Sequence, residues 1–224
     1  MTIIQALRGS EVGRPPTGAV ARQDGGLPSH VRVIDGAEGL AVIQRPGVNL
    51  ALWPRELPAE VVGHLAEAVS TDLAPVRFEA PADAVNAELR HRLPPGPCRD
   101  WLAADAAMLV RTLAQLADTR RVELRIEAVA GDSCRLFHAD AVALRLVTTY
   151  QGRGTQWLAN VDADASRNGE AVSEDRVQET ATGTVAVFRG LRGVTTVRPL
   201  VHRSPPRRPG DPVRLFLAVD PAAH

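Results

Sequence analysis

Of the six histidines in this 224-residue chain, His138 and His202 fall within strand-like stretches of its second half, and His224 is the last residue. His138 belongs to the run Phe137-His138-Ala139-Asp140. In an extended segment His138 and Asp140 point to the same side, with Cα atoms roughly 6–7 Å apart, so both can converge on one ion. His202 closes an apolar stretch, Thr195–Val201, whose strand-like pattern can return it beside them. Two imidazoles and one carboxylate on one face of a metal ion leave its other positions open to exchangeable ligands. A His-x-Asp pair alone is weak evidence, because a strand-end histidine bonded to its neighbour is spelled the same way.

Other chemistries lack their usual signals: there is no Walker loop, no GxGxxG, no GxSxG elbow and no HExxH. The 26 basic residues balance the 26 acidic ones, so arginine richness is no sign of nucleic-acid binding, which needs an excess of positive charge on one face. Every basic residue is arginine, and any carboxylate or phosphate held by a cation must therefore be held by a guanidinium fork. No apolar run is long enough for a membrane span. The start of the chain has no secretory-signal pattern, and Cys98 and Cys134 form neither a CxxC pair nor a disulfide framework, so a cytoplasmic setting is expected. Cys134 reads as a buried thiol, and Trp101 and Trp157 as core aromatics.

The elements that would position these residues divide into two halves. Residues 1–29, punctuated by Pro15-Pro16, Gly25-Gly26 and Pro28-Ser29, read as a flexible arm preceding a single domain over 30–224. Leu40–Ile43 and Val48–Trp53 look like strands around a Pro46-Gly47 turn, and Pro58 to Ser70 like a helix. A second helix is expected from about Trp101 to Ala117, capped by Asp100 and apolar along Leu102, Ala106, Leu109, Leu113 and Leu116. From Val122 the pattern alternates, with further strands at Leu144–Tyr150, Thr184–Arg189, Thr195–Val201 and Val213–Val219. Asn160 to Gln178 reads as a long loop or lid. The sum is an α+β fold in which a support layer, 30–120, braces a rolled β-rich core, 121–224.

The run from Phe137 through Tyr150, followed by Gly152, Gly154, Thr155 and Trp157, resembles the core of the 2-oxoglutarate/Fe(II) dioxygenases of the prolyl-hydroxylase type. Together with Leu200-Val201-His202-Arg203-Ser204-Pro205-Pro206 it more closely resembles an uncharacterised bacterial family, domain of unknown function 1826, over roughly Trp101 to Asp220. The dioxygenase resemblance implies a double-stranded β-helix of the jelly-roll or cupin kind. It implies Fe(II) held by His138, Asp140 and His202, and 2-oxoglutarate as co-substrate. It places the keto-acid anchor at Arg214, on the strand after the distal histidine. Arg145 is the rival anchor; it shares a strand face with Val147 and Thr149, whereas Tyr150 points the other way and either donates to the co-substrate or packs with a solvated hydroxyl. The pattern departs from these oxygenases at Phe216, where many carry serine, and at Arg203-Ser204.

The implied activity is an Fe(II)-dependent hydroxylase acting on a small molecule or peptide, away from nucleic acid and membranes. One alternative is a zinc-binding protein without oxygenase activity, since His₂Asp also suits Zn(II) and some members of the bacterial family sit beside zinc-homeostasis genes. Another is a non-catalytic β-helix scaffold in which His138 and His202 are structural.

Overall fold

The computed structural model of the chain describes residues 26–70, 73–131, 134–192 and 196–222. Of the arm expected at 1–29, residues 1–25 lie outside this set; the rest leads straight into the fold, where Val31 N–H donates to Pro28 O.

In chain order the elements are β1 (Val31–Val33), β2 (Leu50–Trp53), α1 (Ala59–Ser70), β3 (Val76–Pro81), α2 (Val85–Arg92), α3 (Arg99–Leu116), β4 (Arg121–Val129), β5 (Leu144–Gln151), β6 (Gln156–Trp157), α4 (Asn160–Arg167), β7 (Gln178–Glu179), β8 (Val185–Arg189), β9 (His202–Arg203) and β10 (Arg214–Pro221). Seven strands form one large sheet in the order β1-β2-β8-β5-β10-β4-β3, antiparallel except at β1–β2. A small sheet, β7-β6-β9, completes the double-stranded β-helix. The large sheet takes β1, β2 and β3 from the first part of the chain, so it is built from both halves and not from residues after 121 alone.

Alternation along the strands assigns each residue to one of two interiors. Leu144, Leu146 and Tyr150 of β5, Leu215, Leu217 and Val219 of β10, and Val122, Leu124 and Ile126 of β4 join the helices in the main core. The intervening residues, Val147, Ala186, Phe188, Ala218 and Phe216, face the other way and meet Trp157 and Leu200. A one-residue register shift would exchange the two sets. It would also move Arg145 and Arg214, which alternate with the core residues, out of the second interior.

Several local expectations are corrected. Leu40–Ile43 is not a strand but part of a 3₁₀ helix, Ala37–Gln44, in which Leu40 and Ile43 stack on one side and are fully buried. Helix α3 starts at Arg99 with Cys98 as its N-cap, so Asp100 sits inside the first turn, where its charge suits the helix dipole. Residues 196–201 form no strand, and Thr195 lies outside the described set; Pro199 removes a ladder donor, and pairing resumes only at β9. The supposed loop Asn160–Gln178 contains α4 and a 3₁₀ turn, Glu174–Arg176. It packs through Ala163 on Leu158 and Val201.

Two buried polar clusters tie the layers together. On the helical side Arg55 grips Asp105 through Nη1 at 2.5 Å and Nη2 at 2.8 Å, and Tyr150 Oη donates to Asp105 at 2.7 Å. Burial, with the Asp105 charge adding, pushes the Tyr150 hydroxyl well above its ordinary value. Asp105→Ala would strand a buried guanidinium, and a stability loss of about 3–5 kcal/mol is expected in denaturant unfolding. Tyr150→Phe should cost about 1 kcal/mol, since Arg55 still neutralises Asp105.

On the opposite side His30 Nδ1 meets Asn49 Oδ1 at 2.6 Å, and Nε2 accepts the Asn160 N–H at 3.1 Å. Asn49 Nδ2 in turn donates to Asn160 Oδ1 at 2.9 Å and to Arg198 O at 3.1 Å, which fixes its amide and hence the His30 tautomer. The ring must be neutral, and burial lowers its pKa. This stabilisation is therefore complete above the free-histidine value of about 6.5 and is lost as pH falls below it towards the depressed native value. Comparing unfolding free energies at pH 7.5 and 5.5, wild type should lose on the order of 1 kcal/mol more than His30→Gln.

Candidate metal centre

His202 enters the site on β9, opposite Trp157 of β6. Its other side pairs with His138: His138 N–H donates to His202 O at 3.0 Å and His202 N–H returns to His138 O at 2.9 Å. The two rings face each other with centroids 4.7 Å apart, and Phe188 supports His202 at 4.6 Å. Each Nδ1 turns to a backbone carbonyl, His138 to Leu136 at 2.8 Å and His202 to Leu200 at 3.5 Å, which leaves Nε2 to the centre.

Asp140 lies on the turn before β5, which is clamped by the segment after β8. Leu191 N–H donates to Asp140 O at 2.8 Å, Gly190 N–H to Ala143 O at 3.1 Å and Arg192 N–H to Val142 O at 3.0 Å. The approach is so close that a Cβ on Gly190 would lie 2.6 Å from Asp140 O, and only glycine fits there.

The donor atoms of His138, Asp140 and His202 lie within 4.8 Å of one another. Asp140 Oδ1 is 3.5 Å from His138 Nε2, and Oδ2 is 3.1 Å from His202 Nε2. Arg145 Nη1 approaches Oδ2 to 2.6 Å, yet no N–H is directed at this buried oxygen in hydrogen-bonding geometry. Burial alone would raise the Asp140 carboxyl, but His138, His202 and Arg145 hold it far below the usual carboxylate range. Asp140 in turn raises the His138 pKa. Two Nε2 atoms, an ionised carboxylate and a buried oxygen without a directed donor fit a divalent ion.

The triad lines a cavity of about 430 Å³ together with Arg125, Glu127, Cys134, Arg145 and Arg214. Its arginines differ sharply in how they are neutralised. Arg145 binds Asp220 through Nε at 2.6 Å and Nη2 at 2.5 Å while touching Asp140, so two carboxylates share it. Arg214 is only 7% exposed and, among the described residues, has no carboxylate in contact; it donates to Ser204 Oγ at 3.1 Å, Thr149 Oγ1 at 3.2 Å and Thr155 Oγ1 at 3.0 Å. Its Nε is buried without an acceptor, and the guanidinium lies 4.3 Å over the Phe216 ring. Burial lowers its pKa to about 10, with Glu179 offsetting part of the effect and Arg125 adding to it.

Of the residues singled out in the sequence, the structure gathers His138, Asp140, His202, Arg145 and Arg214 around one cavity. Tyr150 is the exception: it is fully buried on the helical side and its hydroxyl is bound to Asp105, neither solvated nor turned to the centre. Cys134 is exposed, not buried, in a left-handed turn with φ 43°, although it reaches the cavity rim. Trp157 is a core residue as expected, and Trp101 packs edge-on against Tyr150. Arg125 and Glu127 are cavity residues that the sequence did not single out, with the alternation of β4 as the available signal; Thr149, Thr155 and Ser204 were noted there, but not as the hydroxyls that carry Arg214. No helix among the described residues is long and apolar enough to cross a membrane.

A family model described as "Protein of unknown function (DUF1826)" matches residues 35–220. No curated protein matches the sequence. Among solved structures the chain is similar to dioxygenase for auxin oxidation 1 from Arabidopsis thaliana in complex with 2-oxoglutarate, with TM-score 0.50 and 10% identity over 87% of this chain and 93% of that one. It is also similar to a prolyl-4-hydroxylase from Pseudomonas putida, with TM-score 0.46 and 14% identity over 84% of this chain and 94% of that one. At such identities the likeness is one of fold.

Proposed function

We propose that this chain, which belongs to the DUF1826 family, is an Fe(II)-dependent oxygenase that uses 2-oxoglutarate as co-substrate to hydroxylate a small molecule or peptide. The observation that carries this reading is Arg214: a buried guanidinium with no carboxylate partner among the described residues, in the cavity the triad lines. A charge so placed is costly unless a ligand neutralises it, and a distal carboxylate is the matching group. Arg145, already shared by Asp140 and Asp220, is a positioning residue that orients Asp140.

His138, Asp140 and His202 would hold the iron, which when bound supplies oxidative decarboxylation of the keto acid coupled to hydroxylation. The protein's own tasks are distinct. Leu136 and Leu200 carbonyls keep both imidazoles in the tautomer that presents Nε2. Arg145, together with the two imidazoles, keeps Asp140 ionised. Thr149, Thr155 and Ser204 hold the Arg214 fork in place before any ligand arrives, so little ordering is needed on binding.

The reading is tested by turnover without added substrate. With Fe(II), O₂ and ascorbate the protein should convert 2-oxoglutarate slowly to succinate, and omission of iron should stop it. A protein that neither binds 2-oxoglutarate nor forms succinate would rule the reading out.

A further inference from the structure

Arg125 is the cavity's other uncommitted cation. On β4 it faces Ala218 of β10 on one side and Arg77 of β3 on the other. Arg77 is occupied by Glu123, to which its Nε donates at 2.6 Å. Among the described residues no carboxylate and no hydrogen-bond acceptor meets Arg125. Its guanidinium rests 5.7 Å from the centre of the Phe216 ring, the ring that also carries Arg214, and its Nε is buried without a partner. Glu127, two residues along the same strand face, is also unpaired but stands opposite Phe216, whereas Arg125 stands opposite Ala218. Arg125 lines the cavity, so an anion that enters it can reach the guanidinium.

Two like charges in one cavity, neither in contact with a carboxylate among the described residues, destabilise each other, and bound anionic groups would relieve that cost. If Arg214 takes the keto acid, Arg125 is left for the substrate. We infer that the molecule oxidised at this centre is a small oxyanion whose carboxylate or phosphate is held by Arg125, the rest of it reaching back to His138, Asp140 and His202. This rests on the oxygenase reading for the word substrate, but not for the existence of the site. A cavity of about 430 Å³ suits a small molecule, not a folded partner.

The test is calorimetric titration of the Fe(II)-loaded protein under argon, saturated with 2-oxoglutarate, using sulfate as a tetrahedral probe and acetate as a planar one. One equivalent of at least one probe should bind; preference for sulfate indicates a phosphate substrate and preference for acetate a carboxylate. Arg125→Gln should weaken this binding about tenfold or more while leaving 2-oxoglutarate affinity within about twofold. Glu127→Gln should strengthen it, because a like charge is removed. Absence of probe binding to wild type, or binding unchanged in Arg125→Gln, overturns the inference. Should 2-oxoglutarate itself fail to bind, the same titrations on the metal-loaded protein should find two anion sites, one lost with Arg125→Gln and one with Arg214→Gln. That result would remove the keto-acid reading and leave the Arg125 site standing.

Discussion

Replacing Arg214 by methionine is expected to weaken 2-oxoglutarate binding about 100-fold while leaving metal uptake intact and the fold at least as stable as wild type. The loss in binding follows from deleting a deeply buried cavity cation that, among the described residues, has no contacting carboxylate, since truncating one partner of a buried charge pair costs about 2–5 kcal/mol. The sign of the stability change is the more discriminating part. Arg214 bonds only to hydroxyls and leaves Nε unsatisfied, so in the free protein its burial is poorly compensated. Methionine keeps much of the aliphatic volume and removes the desolvated charge, at the cost of three hydroxyls losing a donor. Equilibrium unfolding together with keto-acid titration checks both halves. A variant that folds but is markedly less stable than wild type, and binds 2-oxoglutarate normally, would show Arg214 to be a structural residue.

The second large effect is at Asp140. Asp140→Ala should lower metal affinity by at least 100-fold, more than is typical for a residue that only orients a ligand. The fold should survive, because Arg145 keeps Asp220 and the turn keeps its backbone clamp on Gly190, Leu191 and Arg192. An internal check is available in the metal-free protein. Asp140 is the main reason the His138 pKa is raised, so in Asp140→Ala that pKa should fall back towards its ordinary value when followed by NMR. Unchanged metal content would remove Asp140 from the ligand set.

Part of the centre was legible in the sequence for a simple physical reason, while the full ligand set and Arg214 rested on the family resemblance. Side-chain direction alternates along extended chain, so His138-x-Asp140 and the Arg145/Val147/Thr149 face could be assigned without coordinates. The same alternation turned Tyr150 away from the Arg145 face but did not exclude it as a co-substrate donor, because nothing in the sequence revealed Asp105, a helical residue that claims its hydroxyl. Choosing between Arg145 and Arg214 was also out of reach, because the choice depends on Asp220 and Asp140 converging on Arg145 from two other segments. The fold was read less evenly. Val76, Phe78 and Ala80 alternate as cleanly as any strand, yet β3 and α2 went unassigned beside the Pro-rich stretch that follows them. Leu40–Ile43 was misread because a short apolar run does not distinguish a strand from a single 3₁₀ segment.

The most direct test of the central claim is anaerobic titration of metal-free protein with Fe(II), followed by 2-oxoglutarate, monitored by absorbance. One equivalent of iron should bind, and the keto acid should then produce a metal-to-ligand charge-transfer band that is absent in His202→Ala and much weakened in Arg214→Met. Tight metal binding with no spectral response to 2-oxoglutarate, or a band that persists in His202→Ala, would contradict it.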